Sequence, residues 1–534
     1  MAGFVDVVLR GLILVLSSIT LGGAVWLRFV LRAEPHVKPD GPTALALAAI
    51  GAAAVGVAVA QTAVALVSFG AVATAHGGAP ALEFFTTTFA LTATARVVWA
   101  LALALLASRM AAGATGRAAW LALTLGTAGL VGSSAVLSHA VARVEYRLLL
   151  LGLDAVHQLA AAVWVGGLAH LALYAAWRRR HAGLLPTRPD LQRHAAGPLV
   201  RRFSTLAFRA MVGLVVAGAL LTWIYVGEPA ALVGTAYGVM ILSKLALLVA
   251  ALGLAFANMR AVQRAAGEPD TRLFRFVEVE LGLGITILFA AASLTSLPPA
   301  VDVTTDRATV GEVAARFAPA APRLTSPPVD ELIRTADPLM ERQIERKPIE
   351  RAWSEYNHHW AGFFVVTMGV LAMLERLGVR HARHWPLVFL GLATFLFIRN
   401  DPRAWPLGPA GFWESFTLPD VLQHRTFVVL VVAFAVFEWM VRTGRLRPRP
   451  WAYVFPLLCA VGGGLLLTHS HAMFNLKDEF LTEVTHAPLG IFGVFAGWGR
   501  WLELRLPEAG AWPAWTWRAC FTAVGLLLLF YREG

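Results

Sequence analysis

Residues 468–473 read Thr468-His469-Ser470-His471-Ala472-Met473, two imidazoles and a thioether in one short stretch. On a helix His469 and Met473 are four apart and share a face; on an extended chain 469, 471 and 473 all point one way. Both geometries present nitrogen and sulfur together, a set suited to copper, because thioether favours Cu(I) and imidazole accepts Cu(I) or Cu(II). The plainer alternative is a polar cap on a helix at a membrane interface. His424, His486 and the run Tyr356-Asn357-His358-His359 fall at the same expected membrane level, so they are expected to complete such a site.

A second constellation is Asp154-Ala155-Val156-His157, followed by Trp164-Val165-Gly166-Gly167. Asp154 and His157 are three apart and share a helix face. A carboxylate beside an imidazole orients a metal-bound ring, relays a proton, or locks two helices together. The two glycines permit a neighbouring helix to come close. Arg96, Lys244 and Glu280 are charges inside apolar runs, where each needs a partner. Asp154 or Glu280 is the expected counter-charge for Arg96.

Cys459 and Cys520 each stand alone within a predicted span, which excludes a CxxC motif and a thiolate cage. No GxxxxGK[ST] phosphate loop, Asp-Lys-Thr-Gly phosphorylation motif or intramembrane Cys-Pro-Cys is present, so an ATP-driven metal pump is excluded.

These groups are carried on apolar segments. The chain has 534 residues, 57% hydrophobic and 15% charged, with a mean hydropathy of +0.64. Apolar runs recur at 4–31, 43–75, 84–107, 118–139, 148–176, 204–226, 236–260, 273–297, 360–376, 385–400, 420–441, 451–470, 486–504 and 515–531. Most are long enough to cross roughly 30 Å of hydrocarbon as helices. The expected fold is an all-α polytopic transmembrane bundle of about fourteen spans, eight and then six. The first run is too long for a signal-peptide core and reads as a span. Residues 1–300 form the first membrane domain, 301–357 a polar Pro-, Arg- and acid-rich linker, and 358–534 a six-helix, histidine-rich domain.

The net charge of +12 is not a nucleic-acid footprint, since the basic residues sit in short clusters between spans. Loops 177–202, 260–275, 376–383 and 442–449 are arginine-rich and fall on one side, whereas 76–83 and 227–235 hold no Lys or Arg. The basic side should be cytoplasmic, which puts the amino terminus and the 301–357 linker on the outer side of the membrane. On that map His76, His139, His157, His358, His359, His424, His469, His471 and His486 lie toward the outer ends of spans. His36, His170, His181, His194, His381 and His384 lie toward the inner side, mostly as loop polarity. Met211 and Met259 read as packing residues.

The first eight spans resemble the bacterial copper resistance protein D family. The resemblance is carried by Leu153–Leu168 with Asp154, His157, Trp164, Gly166 and Gly167, then Arg202-Phe203-Ser204, Tyr237-Gly238 and Ser243-Lys244-Leu245-Ala246-Leu247. Glu280-Leu281 and Leu297-Pro298-Pro299-Ala300 complete it, and His139 stands in Leu137-Ser138-His139-Ala140, where the family often has Gly-His-Ala. The last six spans are similar to the carboxyl-terminal extension of long family members. The resemblance implies inner-membrane transport or handling of periplasmic copper, for uptake or resistance, with copper ion and a periplasmic copper chaperone as partners, a transporter or metal-handling protein more than an enzyme. Two readings stay open beside it. Paired histidines on adjacent membrane helices also hold haem b in electron-transfer proteins, and a copper site can serve an assembly factor that delivers metal to a partner.

Overall fold

A computed structural model of the chain describes every residue apart from 1, 35, 76–77, 79–80, 182–195, 265–270, 336–346, 448, 469–476 and 534. Among the described residues there are helices and no strands. All-helical structure is what a bilayer demands, because a helix satisfies its backbone hydrogen bonds internally. Among the described residues eleven helices are long and apolar enough to cross a membrane. The other three expected spans are also helical: Pro348–Arg376, Val388–Arg399 and Trp512–Leu529. The chain is an all-α polytopic membrane protein.

Among the described residues the chain divides into two compact units, the first within 1–232, 240–304 and residue 468, the second within 233–239, 305–467 and 477–534. In the first, the amino-terminal helix Ala2–Val25 packs against Gly41–Ala75, Arg117–Gly132, Arg147–Arg180 and Thr271–Leu294. Its crossing with Arg147–Arg180 is very close: a Cβ on Gly166 would lie 1.8 Å from the Ser18 carbonyl oxygen. Only glycine allows backbones to approach so nearly. Gly167 faces the other way, where its missing Cβ makes room for Phe203 on the Ala196–Val226 helix. The Arg147–Arg180 helix is thereby held between two neighbours, with Trp164 buried in its middle.

The second unit is built on Pro348–Arg376 against Trp512–Leu529, and His486–Arg505 packs on the latter. Gly362 and Gly525 lie in the first crossing, each with the partner helix's backbone where a Cβ would go. The core beside them is aromatic, with Trp385, Phe455, Trp517 and Phe521 around Met368 and Ala372. The compact boundary falls at 304/305, so the polar segment from 305 onward belongs with the second unit and carries the short helices Val310–Arg316 and Val329–Thr335.

Candidate functional site

In the first unit the Arg147–Arg180 helix positions Asp154, His157 and Gln158. Asp154 and Gln158 are one turn apart, and Gln158 Nε2 donates to Asp154 Oδ2 at 2.9 Å. His157 turns instead to the adjacent Ala196–Val226 helix. Its Nδ1 lies 3.0 Å from the Leu214 carbonyl, and its ring fills the notch at Gly218, where a Cβ would come within 2.8 Å of Cε1. A carbonyl can only accept, so Nδ1 carries the proton and Nε2 keeps the lone pair. That is the tautomer a metal ligand needs. The group that sets it is Leu214, not Asp154, which corrects the expectation that the carboxylate orients the ring.

Asp154 acts on Lys244 instead. The half-buried ammonium, carried by the Ala236–Arg264 helix, lies where its charge interacts with both Asp154 and His157. Around them, Arg143 pairs with Asp302 at 2.6 Å and lies over the Tyr225 ring at 5.7 Å. His139 Nε2 donates to the Leu294 carbonyl at 2.9 Å, leaving its lone pair on Nδ1.

Arg96 differs from expectation as well. Its Nε donates to Gln61 Oε1 at 3.1 Å, and Nη1 to the Leu130 carbonyl at 3.0 Å and to the Ser133 hydroxyl. Neither Asp154 nor Glu280 is among its hydrogen-bond partners; its N–H groups are satisfied instead by neutral acceptors on three helical elements. Glu280, also buried, accepts from Asn258 Nδ2 at 2.7 Å. Trp164 is buried in helix packing.

In the second unit, adjacent histidines have opposite fates. His359 is 1% exposed, and both its nitrogens serve backbone: Nδ1 accepts from Arg323 N at 2.6 Å, and Nε2 donates to the Tyr531 carbonyl at 2.8 Å. That leaves it no lone pair for a metal, so it leaves the expected ligand set. His358 donates from Nδ1 to the Ser354 carbonyl at 2.8 Å, which puts its lone pair on Nε2. The His358 ring stacks on Tyr531 at 4.2 Å, and its centroid lies 6.4 Å from that of His486. His424 Nδ1 meets Asp401 Oδ1 at 2.6 Å, beside Asn400. This is the carboxylate–histidine arrangement that fixes a ring and raises the basicity of Nε2.

Among the described residues no group of three or more His, Cys, Asp or Glu side chains is gathered as for a metal ion. His76, His469, His471 and Met473 lie outside the described residues, so the first constellation of the sequence has no geometry here. Asp401 and Tyr531 were not legible as participants. The only local signal was the polar Asn400-Asp401-Pro402 turn after an apolar run, and Tyr531 reaches His358 from far along the chain.

Residues 197–294 match the family model for copper resistance protein D. This stretch contains Lys244 and Glu280 but not Asp154, His157 or Trp164. Over 181 residues the chain is 32% identical to the copper transport protein CutJ of Bacillus subtilis (strain 168), which is 34% of this chain and 31% of that protein. The chain thus matches about a third of the length of this curated relative. No solved structure matches.

Proposed function

We propose that this copper resistance protein D-like membrane protein transports or handles copper, taking the ion from the periplasmic side of a bacterial inner membrane. The likeness of residues 197–294 to that family carries the reading, and the side chains supply chemistry consistent with it. The orientation rests on the arginine-rich loops, which place the helix ends bearing His358, His424 and His486 outside.

Two relay points belong to this reading, and the ring geometry supports them. In the first unit His157 offers Nε2 in a region that also holds Asp154 and Lys244, with His139 as a further imidazole. In the second unit His358 and His486 stand at a separation that one ion with metal–nitrogen bonds of about 2 Å to each ring would produce. His424, braced by Asp401, and His469, His471 and Met473 complete the proposed ligand set on that side. Copper is the cargo here, in either oxidation state, and a periplasmic copper chaperone is the proposed donor. The chain's role is to hold neutral imidazoles at one membrane face and to carry charged groups, Asp154 and Lys244, into the span beneath.

The test is metal analysis of the full-length protein purified in detergent and loaded with copper, together with its visible spectrum. Bound copper without a Soret band supports the proposal. A Soret band with haem extracted from the protein replaces it with a haem b electron-transfer reading, for which the His358–His486 spacing is equally suited. Absence of both copper and haem removes the proposal.

A further inference from the structure

Arginine clusters at the other end of the second unit. Arg376 ends the Pro348–Arg376 helix and Arg442 ends Pro419–Arg442; Arg500 lies in His486–Arg505 and Arg518 in Trp512–Leu529. All four line one open cavity of about 370 Å³, together with Glu375. Eighteen residues of helix separate Arg376 from His358, roughly 27 Å at 1.5 Å per residue. The cavity is therefore a separate place from the histidine-bearing end.

The local charges do not balance. Glu375 and Glu438 pair with Arg442, at 3.0 and 2.7 Å. Glu503 pairs with Arg500 and, at 3.1 Å, with Arg518. These three carboxylates face four guanidinium groups, and among the described residues Arg376 has no acidic partner. More telling is Arg442. Its side chain is only 5% exposed, yet its Nη2 is buried without a hydrogen-bond acceptor. It sits against the Trp385 and Trp517 rings at 4.9 and 5.5 Å, which desolvate it further. A buried guanidinium N–H without an acceptor is costly, and the cavity it lines is where an acceptor can enter.

We propose that this arginine-lined cavity binds a phosphate oxyanion. The guanidinium fork matches phosphate geometry, and an oxyanion supplies both the missing acceptor for Arg442 and the missing negative charge. The cavity is far larger than a single phosphate group. It lies at the basic end of membrane helices, which faces the cytoplasm on the orientation above. The same chemistry is available from the headgroup of an anionic phospholipid and from a soluble phosphate compound, and the experiment separates them.

The full-length protein is placed in phosphatidylcholine nanodiscs, and its thermal midpoint is followed while inorganic phosphate is titrated against chloride at matched ionic strength. A parallel series replaces phosphatidylcholine stepwise with phosphatidylglycerol. A saturable rise with phosphate identifies a soluble anion; a saturable rise only with phosphatidylglycerol identifies the lipid headgroup. Arg376→Ala, at an exposed position without an ion pair, should raise the half-saturating concentration about tenfold, the loss expected for one charge-assisted hydrogen bond. Arg442→Lys should do the same or more, and if it fails to fold, Arg376→Ala still decides. No saturable response beyond chloride in either series, or an unchanged response in Arg376→Ala, overturns the proposal.

Discussion

His157 is held by Leu214: the ring's Nδ1 meets that carbonyl at 3.0 Å across the interface of two membrane helices. The contact fixes the tautomer, and it makes Gly218, one turn further along the same helix, the residue that gives the ring its space. Gly218→Ala sets a methyl 2.8 Å from Cε1, so the ring or the helix has to move. If His157 ligates copper, copper retained by Gly218→Ala should fall about 10–100-fold in affinity, the usual loss when a ligand's support is disturbed. Asp154→Asn should act differently, removing a negative charge whose field reaches Lys244 and lowering the thermal midpoint. Equilibrium dialysis with copper and a thermal melt on both variants separate the two effects, and unchanged copper affinity in Gly218→Ala would remove His157 from the ligand set.

Arg96 and Asp154 should behave as independent sites. Because Arg96 bonds Gln61, Leu130 and Ser133, Gln61→Ala takes one acceptor from a buried cation, a loss of about 1.5–3 kcal/mol for a hydrogen bond to a charged group. The thermal-midpoint losses of Gln61→Ala and Asp154→Asn should then add in the double variant, with any coupling below about 0.5 kcal/mol. Strong non-additivity would mean that Asp154 does serve Arg96.

The helices were legible because runs of apolar residues longer than a bilayer's core admit one structure, whatever they pack against. The partners of the buried charges were not. Arg96 finds a glutamine, a serine and a carbonyl, and none of those residue types announces itself as a counter-group. His358 and His359 look alike in the sequence, yet a helix turns about 100° between neighbours. One ring therefore meets Tyr531 face to face while the other is tied to two backbones. Arg376 and Arg442 read only as markers of orientation, and their convergence with Arg500 and Arg518 needs three helix crossings that no local pattern encodes.

His359→Ala should test that difference between neighbours. It leaves the Arg323 N–H and the Tyr531 carbonyl without their shared partner, at about 1–3 kcal/mol for each group that stays buried. The thermal midpoint should drop while the folded fraction binds copper as before. His358→Ala should show the reverse, a modest change in stability and weaker copper binding. Loss of copper from folded His359→Ala would restore that ring to the ligand set.

The segment following residue 304 should respond to acid through Glu312. The Lys477 ammonium, 2.7 Å away, holds this carboxylate down to about 2, aided by the Thr309 backbone N–H and hydroxyl. A carboxyl depressed in the folded state contributes stability that is present above its ordinary value of 4.5 and is lost as the pH falls from there through about 2. Hydrogen exchange of residues 305–317 should accordingly show protection declining over that window, more steeply at low salt than at high salt. Glu312→Gln should flatten the dependence. A profile identical in wild type and Glu312→Gln would show that the ion pair does not order the segment.

The two ligand groups proposed for the periplasmic face can be told apart by removing each in the full chain. His358→Ala with His486→Ala removes a pair of rings 6.4 Å apart on two helices, and His469→Ala with His471→Ala removes the imidazoles of the sequence's densest cluster. If all four hold one ion, either double variant should lose most of the copper bound at that end, and combining them should add little, since ligands of one ion act as a unit. If there are two ions, the losses should add. In wild type, copper affinity should also fall as the pH drops below about 6.5, because each ring must be neutral to ligate. Copper stoichiometry by metal analysis, measured for the three variants and across pH, decides among these outcomes. Full occupancy in the combined variant would move the site to His139 and His157, where the first unit already presents two rings with one nitrogen each committed to a carbonyl.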